Sequence, residues 1–496
     1  MDFVAIILFL VFYYLRPQEW FKLFAQVRFV QLVIILSFIS LFLRERSVKL
    51  SDFLKTPHDW MVLFFFTWLI LTSPTPFETF KAVSPLAVFY IVIVQTLTTI
   101  PRITKYLGWW TFLIVAIAAL AIASEHGFDP RHGYDITHGR MKGRLILNLS
   151  IFNNPNTLGH AIVPSIPMIY YFCFWKRPFF LKEIGIAVIG LPLWCVWLTV
   201  SKGSFLAGLV TTLATLTFGR PKTVQIIIIT AAVLGGSTLL YAMPRMQELN
   251  KSKTDEAIMG RVAASKYGLD VLHRSTTGLG YGNWLKGFFD AHNYNKAAHS
   301  SYVQLGAELG WPGFFLFFGI LYCNLRTLVS ARTENPEEER IRRILFVLVT
   351  SYMISSWMVD LGYRPTFFMF TAAIAAFHRH MMKLNLVEEP VAPREGVQAP
   401  AWRARLLPQP ELETALAKAG MPAAVLTLDP LSTQQPQATV ATARRMSEPV
   451  AALSPGEASE PRMFRNWNSI GIVDLILIWA FTAIAVKFWG YILKQM

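Results

Sequence analysis

The amino-acid sequence predicts an all-α, polytopic membrane protein: about 12 transmembrane helices, one large outward-facing loop, a C-terminal disordered linker and one further transmembrane helix. Three observations carry that prediction. Of the 496 residues, 54% are hydrophobic and only 16% charged, where a soluble chain has about 25% charged residues. Mean hydropathy is +0.42. The apolar residues gather in separate runs divided by polar intervals, and the net charge of +15 is concentrated in alternate intervals. That alternation is the mark of loops kept in the cytoplasm, so the positive charge predicts no nucleic-acid partner. Membrane lipid is the expected surrounding instead.

Apolar spans are expected near Phe3–Leu15, Phe29–Leu43, Trp60–Thr72, Ala82–Thr99, Leu107–Ser124, Thr157–Trp175, Ile184–Val200, Ser204–Phe218, Val224–Met243, Pro312–Val329, Ile344–Met358 and Thr366–Met381, with a further one near Ile470–Leu493. Several are shorter than the roughly 20 residues that cross a bilayer. No basic n-region or small-residue cleavage site precedes the first, which is expected to stay as an anchor. One set of loops holds Arg44, Arg46, Lys49, Lys55, Arg102, Lys105, Lys176, Arg177, Lys182, Arg220, Lys222, Arg326, Arg332, Arg340, Arg342, Arg343, Arg379 and Lys383, and is predicted to be cytoplasmic. The other set includes residues 74–81, 125–156, 201–203, about 244–311 and 360–365, and is predicted to face outward. The first loop, with Arg16, Lys22 and Arg28, breaks the rule on this count.

These elements organise the chain as a membrane core over residues 1–384, a linker over 385–465 and a last helix over 466–496. The linker is rich in Pro, Ala, Glu, Gln and Thr and poor in aromatics, so it cannot bury enough apolar surface to offset its ordering entropy. Removal of the chain after about Leu386 is therefore expected to leave the core folded. Cys173, Cys195 and Cys323 all lie in apolar runs and offer neither a disulfide framework nor a metal-spaced cluster.

Four polar groups fall in the outward set. The first joins Arg140 and Arg144, which can bind phosphate, to Asn153-Asn-Pro-Asn156, a turn signal that equally serves as a helix cap. The second is Ser201-Lys-Gly203, where Lys202 is either a snorkelling anchor or a cation aimed at an anionic group. The third is Arg261 at the head of a helical-looking stretch, Val262–Leu272, followed by Gly278, Gly280 and Gly282, which lack the βαβ setting of a dinucleotide fingerprint. The fourth runs from His299 to Gly313. Tyr302, Leu305, Gly306 and Leu309 recur at helical spacing, and Ser301 with Gln304 forms a plausible capping box. His299 would then sit just ahead of a helix N-terminus, with the side chain best suited to general-base work near neutral pH. His292 is a nearby competitor. No metal site, phosphate-binding P-loop or serine-hydrolase elbow is visible, and no cofactor or metal is expected.

Taken together, these residues resemble the bacterial O-antigen ligase and O-antigen polymerase superfamily, over roughly Phe29 to Met381. The most specific part is the ordered run of Gly260-Arg261, the Thr277–Gly282 glycines, His299, Glu308-Leu-Gly310 and Gly313. Asn154-Pro-Asn156 resembles the family's Asp-Pro-Asn element, and Ser201-Lys-Gly203 its Ser-Arg-Gly element. Lys202 stands where arginine is usual, which replaces a bidentate fork by a point charge, and Ser300 stands where asparagine is usual. The resemblance implies an enzyme of the bacterial inner membrane that needs no cofactor. It would move a glycan from a polyprenyl-diphosphate-linked donor to a lipid A-core, protein or glycan acceptor, at a periplasmic active site formed around the loop at about 244–311. Arg261 and Lys202, with Arg140 and Arg144, would bind the diphosphate; His299 would deprotonate the acceptor hydroxyl; Asn154, Asn156, Glu308 and Gly280 would support them. Ligase and polymerase differ only in the acceptor, and the ligase reading is preferred. A transporter of lipid-linked sugars is the reading from another class, and the clustering of polar motifs on one face disfavours it.

Overall fold

The structure, a computed structural model, describes residues 2–20, 29–42, 53–128, 140–141, 143–242, 256–386, 467 and 469–495. The described residues form helices α1 (Asp2–Tyr14), α2 (Pro17–Trp20), α3 (Phe29–Phe42), α4 (Pro57–Leu71), α5 (Pro76–Thr96), α6 (Ile100–Glu125), α7 (Pro155–Ile162), α8 (Ser165–Ile169), α9 (Phe179–Leu198), α10 (Lys202–Thr217), α11 (Lys222–Ala242), α12 (Glu256–Arg274), α13 (Trp284–His292), α14 (Ser301–Ser330), α15 (Pro336–Met358), α16 (Pro365–Leu386) and α17 (Ile472–Gln495). A two-residue hairpin, β1 (Arg140–Met141) and β2 (Arg144–Leu145), interrupts them. Residues 1–385 and 461–496 make one compact unit. The expected linker, beyond the helical residues at its start, lies outside the described residues, as does Gly139.

Proline opens many of these helices, standing in the first turn of α4, α5, α6, α7 and α15, where a missing N–H costs nothing. Thr56 and Asp59 cap α4 reciprocally, and Asn335 caps α15. Among the described residues, seven segments are long and apolar enough to cross a membrane: Pro76–Thr96, Ile100–Glu125, Pro155–Phe174, Phe179–Leu198, Ser301–Ser330, Pro336–Met358 and Ile472–Gln495. The apolar parts of α1, α3, α4 and α11 are shorter. The span expected over Thr157–Trp175 is built from α7, α8 and a π-helical turn, Tyr170–Phe174. Pro164 and Pro167 within it deny two donors to a continuous α-helical ladder.

The helices run between two chemically different ends. At one, Arg379 at the end of α16 pairs with Asp59 at 2.8 Å, Arg343 donates to the Phe218 carbonyl at 2.7 Å, and Arg177 meets Glu337 at 3.3 Å. This is where the basic intervals gather. The other end collects the start of α14, the end of α15, the starts of α7 and α10 and the loop before α13. Ser150 bonds the Glu19 carboxylate there through both its amide (2.9 Å) and its hydroxyl (2.6 Å), and Glu19 also pairs with Arg16. The first loop, which broke the charge rule, is thus tied to the outward set with Arg16 neutralised.

The last span before the α15 turn begins earlier than its apolar run. The expected loop at about 244–311 ends at Ser301, and α14 carries a kink at Gly310 (φ +63, ψ −167) followed by Trp311-Pro312. Pro312 has no N–H for the Glu308 carbonyl; the Gly280 amide takes that carbonyl at 2.8 Å, the Leu279 amide takes Ala307 at 2.9 Å, and the Trp68 indole takes Leu309 at 2.9 Å. The kink therefore fastens the glycine loop and α4 to α14. A Cβ at Gly310 would lie 2.0 Å from the Thr276 carbonyl oxygen, in a backbone region essentially reserved for glycine. Gly310→Ala is expected to cost on the order of 1–3 kcal/mol from backbone strain alone, and more from the clash. Thermal unfolding of the purified variant in detergent should show a clearly lowered midpoint; an unchanged midpoint would remove the kink from this account.

The C-terminal helix is more embedded than its composition suggests. Trp467 is buried, its indole donates to Thr327 Oγ1 at 3.0 Å, and Arg326 stacks on it at 3.8 Å. Asp474 pairs with Arg326 and accepts from the Tyr322 hydroxyl at 2.7 Å. Removal of everything after Leu386 would uncover these groups along α14, so an undisturbed core is no longer the expected result.

Candidate active site

The Ser201 side chain caps α10, accepting from the Ser204 amide, and Lys202 is the first residue of that helix, half-buried. Ser201 Oγ also donates to Asn156 Oδ1 at 3.0 Å, and Arg144 Nη2 reaches the same oxygen at 2.7 Å while its Nε holds the Thr199 carbonyl at 2.9 Å. Asn154 caps α7, accepting from the Asn156 amide at 2.9 Å. The first two sequence groups therefore meet: α7, the end of α9 and the start of α10 are laced together through Asn156. Arg144 is held by the fold there, and Arg140 is paired with Glu125 and the Gly143 carbonyl. Neither is posed as a free phosphate ligand.

Four residues after Asn156, on the same face of α7, His160 is buried with Nδ1 3.0 Å from Ser355 Oγ on α15. Its Nε2 has no hydrogen-bond partner among the described residues and faces Gly203, beside Lys202. His160 does not stand out in the sequence because it sits inside an apolar run; its spacing from Asn156 is the available signal.

Arg261 lies in the second turn of α12, and its charge acts on His160, His299 and Asp360 alike. The third and fourth sequence groups thus converge on the second. His299 is half-buried with φ +52, a strained conformation for a residue with a Cβ. Burial, then the charges of Arg261 and Lys296, push its imidazole down to about 4. Burial pushes the Asp360 carboxyl up, against the His299 and Ser300 amides and the charges of Arg364 and Arg261. Asp360 and Arg364, in the short turn between α15 and α16, were counted in the outward set without being singled out.

The expected Ser301–Gln304 capping box is corrected. Ser300 is the N-cap of α14 and makes no side-chain cap bond. The Ser301 hydroxyl instead donates to the Val359 carbonyl at 2.9 Å and accepts from the Leu361 amide at 2.7 Å. It holds the α15–α16 turn, with Asp360 in it, against His299. Glu308 is buried and accepts from the Trp284 amide at 3.0 Å, so it caps the positive end of α13. Gly278, Gly280 and Gly282 all have positive φ; a Cβ at Gly280 would come within 2.5 Å of Pro74. These residues shape the loop rather than do chemistry. His292 is exposed, stacked on Phe288 at 4.3 Å, a packing role.

A cleft of about 710 Å3, counted to its open mouth, adjoins this site. His160, Ser355 and Arg364 line it together with aromatic rings from Tyr13, Tyr14, Trp110, Phe152, Tyr352 and Phe370. Among the described residues no group of three or more His, Cys, Asp or Glu is arranged for a metal ion. The arrangement offers two imidazoles, clustered cations and an apolar wall, which is suited to anion binding and proton transfer beside a lipid or sugar.

Residues 187–318 match the O-antigen ligase family. No curated protein matches the chain. The matched stretch begins within α9 and ends within α14, so it contains Lys202, Arg261, Gly280, His299 and Glu308, while Asn156, His160 and Asp360 lie outside it. The family comprises membrane glycosyltransferases of ligase and polymerase type, which in general use a lipid-linked glycan donor and a glycan or lipid A-core acceptor. The seven membrane-length apolar helices among the described residues make this a multi-pass membrane protein, consistent with that family.

Proposed function

We propose that this protein is an O-antigen ligase-like glycosyltransferase of the bacterial inner membrane, transferring a glycan from a polyprenyl diphosphate carrier to an acceptor hydroxyl on the periplasmic side. The observation that carries the reading is the convergence of Arg261, His299 and the Lys202 end of α10 at the end of the helices opposite the basic clusters. His299 takes the proton of the acceptor hydroxyl, whose oxygen attacks the anomeric carbon. The bond from that carbon to the diphosphate oxygen breaks, and the leaving diphosphate carries the electron pair away. Arg261 and Lys202 stabilise the charge that grows on it. Attack opposite the leaving group inverts the sugar. The apolar cleft shields the exchange from water, which strengthens every charge interaction within it.

The decisive experiment is the lipid-linked material that accumulates in a deletion strain. Long polymer left on the carrier is the expected result. Single repeat units on the carrier would make the enzyme a polymerase, and normal glycan with no accumulation would end the transferase reading. The same strain serves for topology: reporter fusions at Lys182, Lys222 and Lys383 should report cytoplasm, and fusions at Tyr134 and Asn283 periplasm. A cytoplasmic signal at Asn283 would put the site on the wrong side.

A further inference from the structure

We infer that Trp489, on the C-terminal helix α17, is a positioning residue for the transfer step. Its indole packs on the seam where α12, which carries Arg261, meets α14, which His299 precedes, and so braces the placement of the two groups. The inference rests on the proposed function for the roles of Arg261 and His299. Trp489 itself lies beyond the residues that match the O-antigen ligase family.

The contact is two-sided. Trp489 is 3% exposed. A Cβ built on Gly268 of α12 would stand 2.7 Å from Val303 of α14, where the two helices touch directly, and 3.3 Å from one edge of the Trp489 indole; a Cβ on Gly306 of α14 would stand 3.3 Å from another edge. Gly268 lies about two turns beyond Arg261 on α12, and Gly306 lies in the second turn of α14, close behind His299. Both glycines leave room for one large ring, and the ring touches both helices at once. Gly490, the next residue, packs on Leu269 of α12. The rest of α17 is held independently: Phe481 meets Phe318 at 5.3 Å, Phe488 meets Trp357 at 6.1 Å, and the Asp474–Arg326 pair fixes the far end. Trp489 is thus delivered by a helix clamped along its length. Its indole nitrogen has no hydrogen-bond partner among the described residues, so what it supplies is volume and shape. A smaller side chain would leave a void along the α12–α14 seam, and a shift of about 1 Å at a reacting group costs on the order of 100-fold in rate.

The test uses the full-length protein purified in detergent, with transfer measured per folded molecule from a polyprenyl-diphosphate-linked donor. Trp489→Ala should lower kcat by roughly 10- to 100-fold while KM for the donor changes by less than about threefold. Trp489→Phe, whose single ring stops short of the outer indole ring that touches Gly268 and Gly306, should fall between the Ala variant and the wild type. A second measurement is independent of activity: Leu269→Cys with Gly490→Cys should give a linked peptide on oxidation in membranes. Absence of that peptide overturns the docking and the inference with it. A linked peptide with wild-type kcat in Trp489→Ala overturns the positioning role, as does equal loss in the Phe and Ala variants. If Arg261→Ala retains transfer, the proposed chemistry fails while the linked peptide stands, so the two failures are told apart.

Discussion

Replacing His299 with alanine is expected to lower glycan transfer by roughly 10²–10⁴, the range for loss of a general base. The side chain is half-buried in the turn before α14 and makes no described packing contact of consequence, so protein abundance should stay near normal. His292→Ala is the control and should be mild, since His292 is exposed at the end of α13. The pH dependence gives a second signature. The base must be neutral to accept a proton, and burial with the charges of Arg261 and Lys296 holds His299 down at about 4. In the free enzyme, activity is therefore lost as pH falls through about 4, not through the ordinary histidine range near 6.5. A bound diphosphate offsets the two cations, which makes the imidazole a stronger base when donor is present. The acid limb of kcat should then lie at higher pH than that of kcat/KM, because kcat reports the substrate complex. Lys296→Gln should move the kcat/KM limb upward as well. If His299→Ala keeps near-wild-type transfer while His160→Ala loses it, the base is the buried imidazole on α7.

Arg261→Ala should cost roughly 10²–10³ in rate, on the order of 2–4 kcal/mol, if its contact to the diphosphate tightens as the sugar–oxygen bond breaks. Its charge reaches His160, His299 and Asp360, so no other described cation is placed to act on all three. Arg261→Lys should recover little, because the planar fork that grips two phosphate oxygens is gone. The loss should also move the His299 acid limb upward, since one of the charges that depresses it is removed. At Lys202 the direction reverses: Lys202→Arg should be tolerated or improved, and Lys202→Ala impaired. Transfer at matched membrane abundance is the measurement. Full activity in both Arg261→Ala and His299→Ala would move the transporter reading ahead.

Much of the architecture was legible in the chain. Run length and hydropathy located the apolar spans, and Asn153-Asn-Pro-Asn156 marked where α7 begins. These signals are local, because a helix end must satisfy its own backbone within a few residues. Arg261, Lys202 and His299 stand out in the sequence for a different reason: they are ionisable residues in polar intervals that alternate with basic ones. A helix start just after His299 was legible, and α14 begins there at Ser301; that this helix continues, bent at Gly310, into the apolar run from Pro312 was not. The bend survives only because Leu279, Gly280 and Trp68 take the carbonyls around it, and those donors are far away in the chain.

By itself the sequence determined an all-helical membrane chain, the alternation of its charged loops and the residue types offered for anion binding and proton transfer. Each follows from solvation: apolar runs of membrane length leave water, and charges cannot follow them. Only the tertiary structure decided which of those residues meet. It tied Arg144 and Asn156 into scaffolding, turned Ser301 from a cap into a clasp on the Asp360 turn, and brought His160 out of an apolar run to the edge of Lys202. It also set Trp489 between the helices of Arg261 and His299. Such contacts depend on how distant helices pack, and packing is decided by the shapes of all the neighbours at once, which no single stretch of sequence records.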